Sequence, residues 1–182
     1  MRVFILILLF LPFSTWAQEF RKCPIFNSEE KWENEEAFLT NEKDVLNLLE
    51  WLMNTPPSEQ LIERSAAGIF VMEWVTKNPN LSIQVEIGPY NEYLFNEDLM
   101  LGYLFGNIHY ALKHTEKFKP ELQRLAGLKS LLFIVEHSES YSRNKIFKSL
   151  LRANRKGTLI EFDKETWINY KPQALLPKAK LN

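Results

Sequence analysis

Apolar residues recur along most of the chain at three- and four-residue steps, the spacing typical of amphipathic helices. Five segments show this spacing, with asparagine, serine, proline or glycine at their ends. These segments cover residues 40–54, 58–77, 97–116, 120–137 and 142–156. The pattern predicts a mainly α fold, a five-helix, bundle-like single domain.

The first two helices are predicted to form a hairpin, because residues 54–57, NTPP, separate them. Thr40 or Asn41 is expected to cap the first helix at its N-terminus. The second helix is expected to bury one apolar face, composed of Ile62, Ala66, Ile69 and Phe70.

Residues 81–87, LSIQVEI, depart from this spacing and alternate strictly between apolar and polar. Such alternation is typical of a half-buried strand, which needs a hydrogen-bonding partner. Residues 158–162, TLIEF, are the nearest candidate, directly after Gly157, which is placed to end the fifth helix. Two interpretations stay open: a short two-stranded β ribbon of 81–87 with 158–162, or two extended loops that cover the core.

Residues 97–116, EDLMLGYLFGNIHYALKHTE, are apolar around most of the helix circumference, and Asn96 can cap their N-terminus. A helix of this kind is expected at the centre of a domain. Gly102 and Gly106 lie four positions apart on one side of it and predict a helix-packing groove. A sizeable apolar cavity beside them would instead favour a ligand carrier.

The N-terminus, MRVFILILLFLPFSTWAQ, combines Arg2, an apolar run and small residues at positions 15 and 17. A run from Val3 to Phe13 is too short to span a hydrocarbon core about 30 Å thick, and the pattern is that of a secretory signal. We expect cleavage after Ala17 and a secreted or periplasmic location. The expected division is a signal peptide (1–17), an acidic lead segment (18–39), a helical domain (40–168) and a loosely ordered tail (169–182).

Charge and cysteine content exclude several classes of protein. Removal of residues 1–17 changes the formal net charge from −1 to −2, so nothing draws the chain toward nucleic acid or anionic lipid. The single cysteine, Cys23, excludes an internal disulfide. We expect its basic neighbours to lower the pKa of its thiol slightly, and it could pair with another chain.

The sequence contains no recognised catalytic motif, and it predicts no catalytic, cofactor-binding or metal-binding residue. The three histidines, His109, His114 and His137, lack the four-residue spacing of a zinc-binding pair and are expected to have separate roles. Glu73 beside Trp74 could have a raised pKa, but an ion pair with Lys77 four residues later is favoured.

The loop GPYNEYLFNED carries three aromatic residues, Tyr90, Tyr93 and Phe95, between the alternating segment and the central helix. Aromatic residues in loops provide large contact areas, and a tyrosine adds a polar group for recognition. These residues are the predicted contact surface. The alternative is that their rings fold back over the helix ends.

The succession of NTPPSEQ, WVTKNPN and NEDLMLGYLFGNIHYAL resembles that of small exported all-helical bacterial proteins of uncharacterised function, over residues 40–156. This resemblance implies export and a helical fold, but no activity. We therefore expect a non-enzymatic binding or interaction protein of the cell envelope, whose partner is another envelope or secreted protein. No nucleic acid binding, cofactor or stable membrane insertion is expected. The alternatives are a carrier of a small apolar ligand in the bundle core and an enzyme of unrecognised type.

Overall fold

The computed structural model describes residues 22–27, 32, 34–141 and 143–170, and this part of the chain forms six α-helices. They are α1 (Glu35–Asn54), α2 (Leu61–Lys77), α3 (Glu97–Lys113), α4 (Pro120–Glu136), α5 (Lys145–Arg155) and α6 (Leu159–Asn169). Short 3₁₀ helices, Gly88–Tyr93, Thr115–Lys117 and Glu139–Tyr141, lie in the connections. The mainly α class is confirmed, whereas the predicted number of five helices is wrong. The signal peptide and residues 171–182 of the predicted tail lie outside the described residues.

Helix α3 lies between two hydrophobic cores and contributes to both. One side of it, with Phe105 and Ile108, packs with α1 and α2 in what we call the N-terminal core. The other side, with Leu99 and Tyr103, packs with α4, α5 and α6 in the C-terminal core. The apolar circumference of α3 follows from this position, because both sides are covered.

The contact between α3 and α4 depends on glycine. A Cβ atom at Gly102 would overlap the side chain of Ile134, and one at Gly106 would overlap the backbone of Ala126. The contacts run in opposite directions along the two helices, so α3 and α4 are antiparallel. Each helix approaches the other more closely than any larger residue at these positions would permit.

Helix α1 begins earlier than predicted, within the segment expected to be an acidic lead. Its cap is Asn34, whose side-chain oxygen accepts a hydrogen bond from the backbone N–H of Ala37 at 2.9 Å. Glu35 and Glu36 then occupy the first turn, where the helix dipole favours negative charge. Phe38 is buried in the N-terminal core and anchors this additional turn.

Helix α2 presents to the core a face that agrees only in part with the predicted one, because Phe70 is buried as expected. Its buried residues are Ala67, Phe70, Val71 and Trp74. Ile62 and Ile69, which were expected to be buried, are exposed. Trp74 holds this orientation, because its indole N–H donates a hydrogen bond to the carbonyl of Phe38 at 3.1 Å. Apolar residues lie on more than one side of α2, so their spacing alone was compatible with either face.

The predicted β ribbon is wrong: no strand occurs in residues 34–141 or 143–170. Residues 158–162 lead into α6, where Leu159, Phe162 and Asp163 have the i, i+3, i+4 spacing of one helix face. Residues 158–162 do not alternate strictly, since Leu159 and Ile160 are both apolar, and five residues were too few to distinguish a strand from the first turn of a helix. Gly157 ends α5 as predicted, with a φ of +72°.

Residues 81–87 form no strand, and their burial alternates as in an extended chain up to Ile87, whose backbone is in the αR region. This agrees with the second interpretation of the segment. Leu81 and Ile83 pack against the N-terminal core, whereas Val85 and Ile87 pack against the C-terminal core. The alternation therefore reports one buried face of an extended segment that runs from one core to the other.

We predict that Gly106→Ala lowers the free energy of unfolding by about 1–3 kcal/mol, because the new methyl group meets backbone that cannot rotate away. The matched control is Gly68→Ala on α2, where the added Cβ would lie 3.6 Å from Phe105. This control should stabilise the protein by about 0.5–1 kcal/mol, as alanine does in helices. Urea unfolding of both variants measures the difference, and a Gly106→Ala protein as stable as the parent would contradict the packing.

Candidate functional site

The three aromatic residues of the predicted contact surface differ in burial. Tyr90 is buried, and its hydroxyl donates a hydrogen bond to Asp163 Oδ1 at 2.9 Å. Tyr93 is partly buried, with its ring centroid 5.4 Å from that of Phe147 in an edge-on arrangement. Phe95 is 84% exposed. Tyr90 is therefore a core residue in this structure, and its ring folds back as the alternative interpretation describes.

Asp163 is the centre of a buried polar cluster that the sequence did not reveal. Its carboxylate is fully buried and accepts hydrogen bonds from Tyr90 and from the guanidinium of Arg124, at 3.0 Å from Nη2. Arg124 also donates from Nη1 to Glu86 Oε2 at 2.6 Å. The backbone carbonyl of Glu86 accepts a hydrogen bond from the Tyr103 hydroxyl at 2.5 Å. Together these bonds fix residues 86–90 to α3, α4 and α6.

The electrostatics of this cluster favour structure rather than proton transfer. Burial, and then the charge of Asp163, raise the pKa of Tyr90. Burial lowers the pKa of Arg124, but Glu86 and Asp163 outweigh it and raise the pKa overall. The guanidinium also lies 4.7 Å from the centroid of the Trp167 ring. Because Asp163 has no exposed surface, a substrate cannot reach it in this conformation.

A cleft of about 360 Å³ lies between α2, α3 and the C-terminal end of α1. Its apolar lining includes Leu52, Leu61, Ile69, Met72, Leu101 and Phe105. Glu97 and Asp98, both exposed at the start of α3, also border it. Leu61 and Ile69 of this lining are 66% and 59% exposed, and Ile62, which belongs to α2 but not to the lining, is 83% exposed.

Arg64 is the basic residue among those that line the cleft, and one of its terminal nitrogens already donates to the backbone. Its Nη1 donates to the backbone carbonyls of Leu52 and Thr55 at 2.9 and 2.6 Å, which satisfies the end of α1. Burial lowers the pKa of Arg64, although the negative charge of Asp98 opposes this shift. The residue thus closes the floor of the cleft and holds the α1–α2 turn.

The three histidines occupy separate environments. His109 Nε2 lies 3.3 Å from Glu50 Oε1, and the same oxygen accepts a hydrogen bond from Lys113. His114 stacks on Tyr110, and the His137 ring is tilted against that of Phe133. Each has Nδ1 near a backbone carbonyl of the preceding helix. No group of three His, Cys, Asp or Glu residues suited to a metal ion occurs in the described part of the chain.

The space beside the two glycines of α3 is filled. Ile134 occupies the position next to Gly102, and the backbone of Ala126 and Gly127 occupies that next to Gly106. The glycines therefore serve close packing of α3 against α4 rather than a ligand cavity.

Two further side chains singled out from the sequence have ordinary surroundings. Glu73 forms an exposed ion pair with Lys77 at 3.5 Å, as favoured from their spacing. Cys23 is partly buried against the N-terminal core. The expectation for its pKa is wrong, because burial, and then the negative charge of Glu63, raise the pKa of the thiol.

No protein-family model, curated protein or solved structure matches this chain. Among the helices of the described residues, none combines the length and apolar character needed to cross a membrane.

We predict that Asp163→Asn lowers the free energy of unfolding by about 3 kcal/mol, because it removes the buried charge that pairs with Arg124 and leaves the exposed Glu86 as the charged partner of that guanidinium. The matched control is Glu136→Gln, which breaks the exposed 3.1 Å ion pair with Arg155. Exposed pairs contribute at most about 1 kcal/mol, so the control should be nearly neutral. Equal losses in denaturant unfolding would show that the Asp163 cluster is not a principal stabilising contact.

We also predict that the protein loses stability between about pH 7.5 and pH 5.5, in part through His109. Burial lowers the pKa of His109 from 6.5, more than Glu50 raises it, and the positive charge of Lys113 acts in the same direction as burial. The unfolded chain therefore binds the proton first as the pH falls, so the free energy of unfolding decreases. Glu50 does not titrate in this range, because hydrogen bonds from Lys113 and His109 lower its pKa below 4.5.

Urea unfolding at both pH values measures this effect. The His109→Gln variant should show a smaller decrease than the parent. A parent and a His109→Gln protein with the same pH dependence would contradict this assignment.

Proposed function

We propose that the protein is an exported, non-enzymatic binding protein that holds an amphipathic helix of a partner protein against α2. The observation that supports this proposal is the exposure of three aliphatic side chains, Leu61, Ile62 and Ile69, beside an apolar cleft. Apolar groups gathered at one place on a surface are a common mark of a protein-binding site.

The arrangement fits a helix better than an extended peptide. Ile62 and Ile69 are seven residues apart and lie on the same side of α2, about 10 Å apart along the axis. This distance corresponds to two turns of a bound helix. Helices that bind in grooves use apolar anchors with the same i, i+3 or i+4, i+7 spacing.

Charge indicates which helix would bind. Glu97 and Asp98 border the cleft and are exposed, whereas the charge of Arg64 already faces the carbonyls at the end of α1. The partner helix would therefore carry a stripe of aliphatic residues with lysine or arginine beside it. Opposite charges speed the association of two proteins and fix how they align.

The N-terminal pattern of residues 1–17 supports export, which makes the partner another envelope or secreted protein. A small apolar ligand is the second candidate, because a cleft of about 360 Å³ lies within the range of small-molecule sites. The filled space beside Gly102 and Gly106 gives no comparable support to a carrier with its ligand in the bundle core.

A synthetic leucine–lysine amphipathic helix should bind the protein with a Kd tighter than about 100 μM, measured by fluorescence anisotropy. The same peptide with glutamate in place of lysine should bind more weakly, because Glu97 and Asp98 repel it. The Ile62→Glu, Ile69→Glu double variant should lose at least about tenfold in affinity for the basic peptide.

The matched control is Ile168→Glu on α6, an 82% exposed isoleucine away from the cleft, which should bind the peptide like the parent. Equal binding of the two peptides, or unchanged binding by the double variant, would contradict the proposal. The small-ligand candidate replaces the helix if the basic peptide does not bind and decanol displaces a fluorescent apolar dye from the parent but not from the double variant.

A further inference from the structure

A second cleft, of about 500 Å³, lies between the 3₁₀ helix Gly88–Tyr93 and α6, away from the apolar face of α2. Four aromatic residues line it: Tyr90, Tyr93, Phe162 and Tyr170. Glu165 contributes a carboxylate, and no lysine, arginine or histidine is among the described residues that line the cleft. The site therefore combines aromatic rings with a single kind of charge.

Three of the four aromatic residues have further contacts within the protein. The hydroxyl of Tyr90 is bonded to Asp163, and the ring of Tyr93 packs edge-on against Phe147. Tyr170 lies at the end of α6, with its ring centroid 6.2 Å from that of Trp167. A ligand would meet walls that are already ordered, which lowers the entropic cost of binding.

The charges favour a cation. Aromatic faces are electron-rich, and an ammonium or guanidinium within about 6 Å of a ring centroid is attracted to them. Arg124 lies over the Trp167 ring in this way, 4.7 Å from its centroid. Its positive charge faces Asp163 and Glu86, whereas the exposed carboxylate of Glu165 forms no ion pair within the described residues.

We propose that this cleft binds an organic cation, an alkylated or quaternary ammonium group, between the aromatic rings and Glu165. The proposal does not depend on helix binding at α2, since it rests on other residues and another surface. Quaternary ammonium groups suit such a site because they carry charge without strong hydration, and aromatic walls replace their weakly held water.

Choline and 3,3-dimethylbutan-1-ol test the proposal, because the two molecules share one shape and only choline is charged. The full chain, labelled in its tyrosine rings, is titrated with each, and the ring resonances of Tyr93 and Tyr170 are followed by NMR. Choline should give saturable shifts with a Kd below about 10 mM. The neutral alcohol should bind at least about fivefold more weakly.

Glu165→Gln should weaken choline binding by about threefold or more without changing the weak binding of the alcohol. The matched control is Glu161→Gln, an exposed acid on α6 that does not line the cleft, and it should bind choline like the parent. Tyr170→Leu removes one wall at the exposed end of α6 and should weaken binding as well, with an unchanged circular dichroism spectrum. No saturable shift with choline, equal affinities for choline and the alcohol, or equal effects of the two glutamate substitutions would each overturn the proposal.

Discussion

The close contact between α3 and α4 is the constraint on which the rest of the fold depends. Gly102 and Gly106 let the backbone of α4 approach a helix whose other side already belongs to the N-terminal core. Because α3 takes part in both cores, its displacement would open both at once. Because both sides of α3 pack against other helices, few of its positions face water, and its sequence is apolar nearly all round.

The Asp163 cluster holds the end of residues 81–87, a segment whose backbone groups are not paired in a helix or a sheet. A buried strand normally pairs its backbone with another strand, but this segment has none among the described residues. The Tyr103 hydroxyl takes the carbonyl of Glu86, and Arg124 holds the side chain of the same residue. A side chain of α3 thus satisfies the Glu86 carbonyl, and Arg124 also donates to Asp163, which accepts a hydrogen bond from Tyr90 at the edge of the aromatic cleft.

Local sequence predicted those features that depend on neighbouring residues. Asn96 caps α3 through the backbone N–H of Leu99, Gly157 ends α5, and the central helix was recognisable from its composition alone. The buried face of α2 could not be predicted from local sequence, because apolar residues lie on several sides of that helix. The contact of Trp74 with Phe38 selects the side that is buried. The polar cluster was also beyond local reasoning, since Arg124 and Asp163 are separated by 39 positions and neither belongs to a motif.

The failed prediction for α2 is itself informative about function. Ala67, Phe70, Val71 and Trp74 already form a complete inward face at i, i+3, i+4 and i+7, so the N-terminal core does not need a second one. Ile62 and Ile69 nevertheless expose aliphatic surface to water beside a cleft, which stabilises neither core. Their place in the sequence is not explained by folding. An amphipathic helix on this face would bury both side chains and complete α2 on its outer side, as α1 and α3 complete it on the inner side.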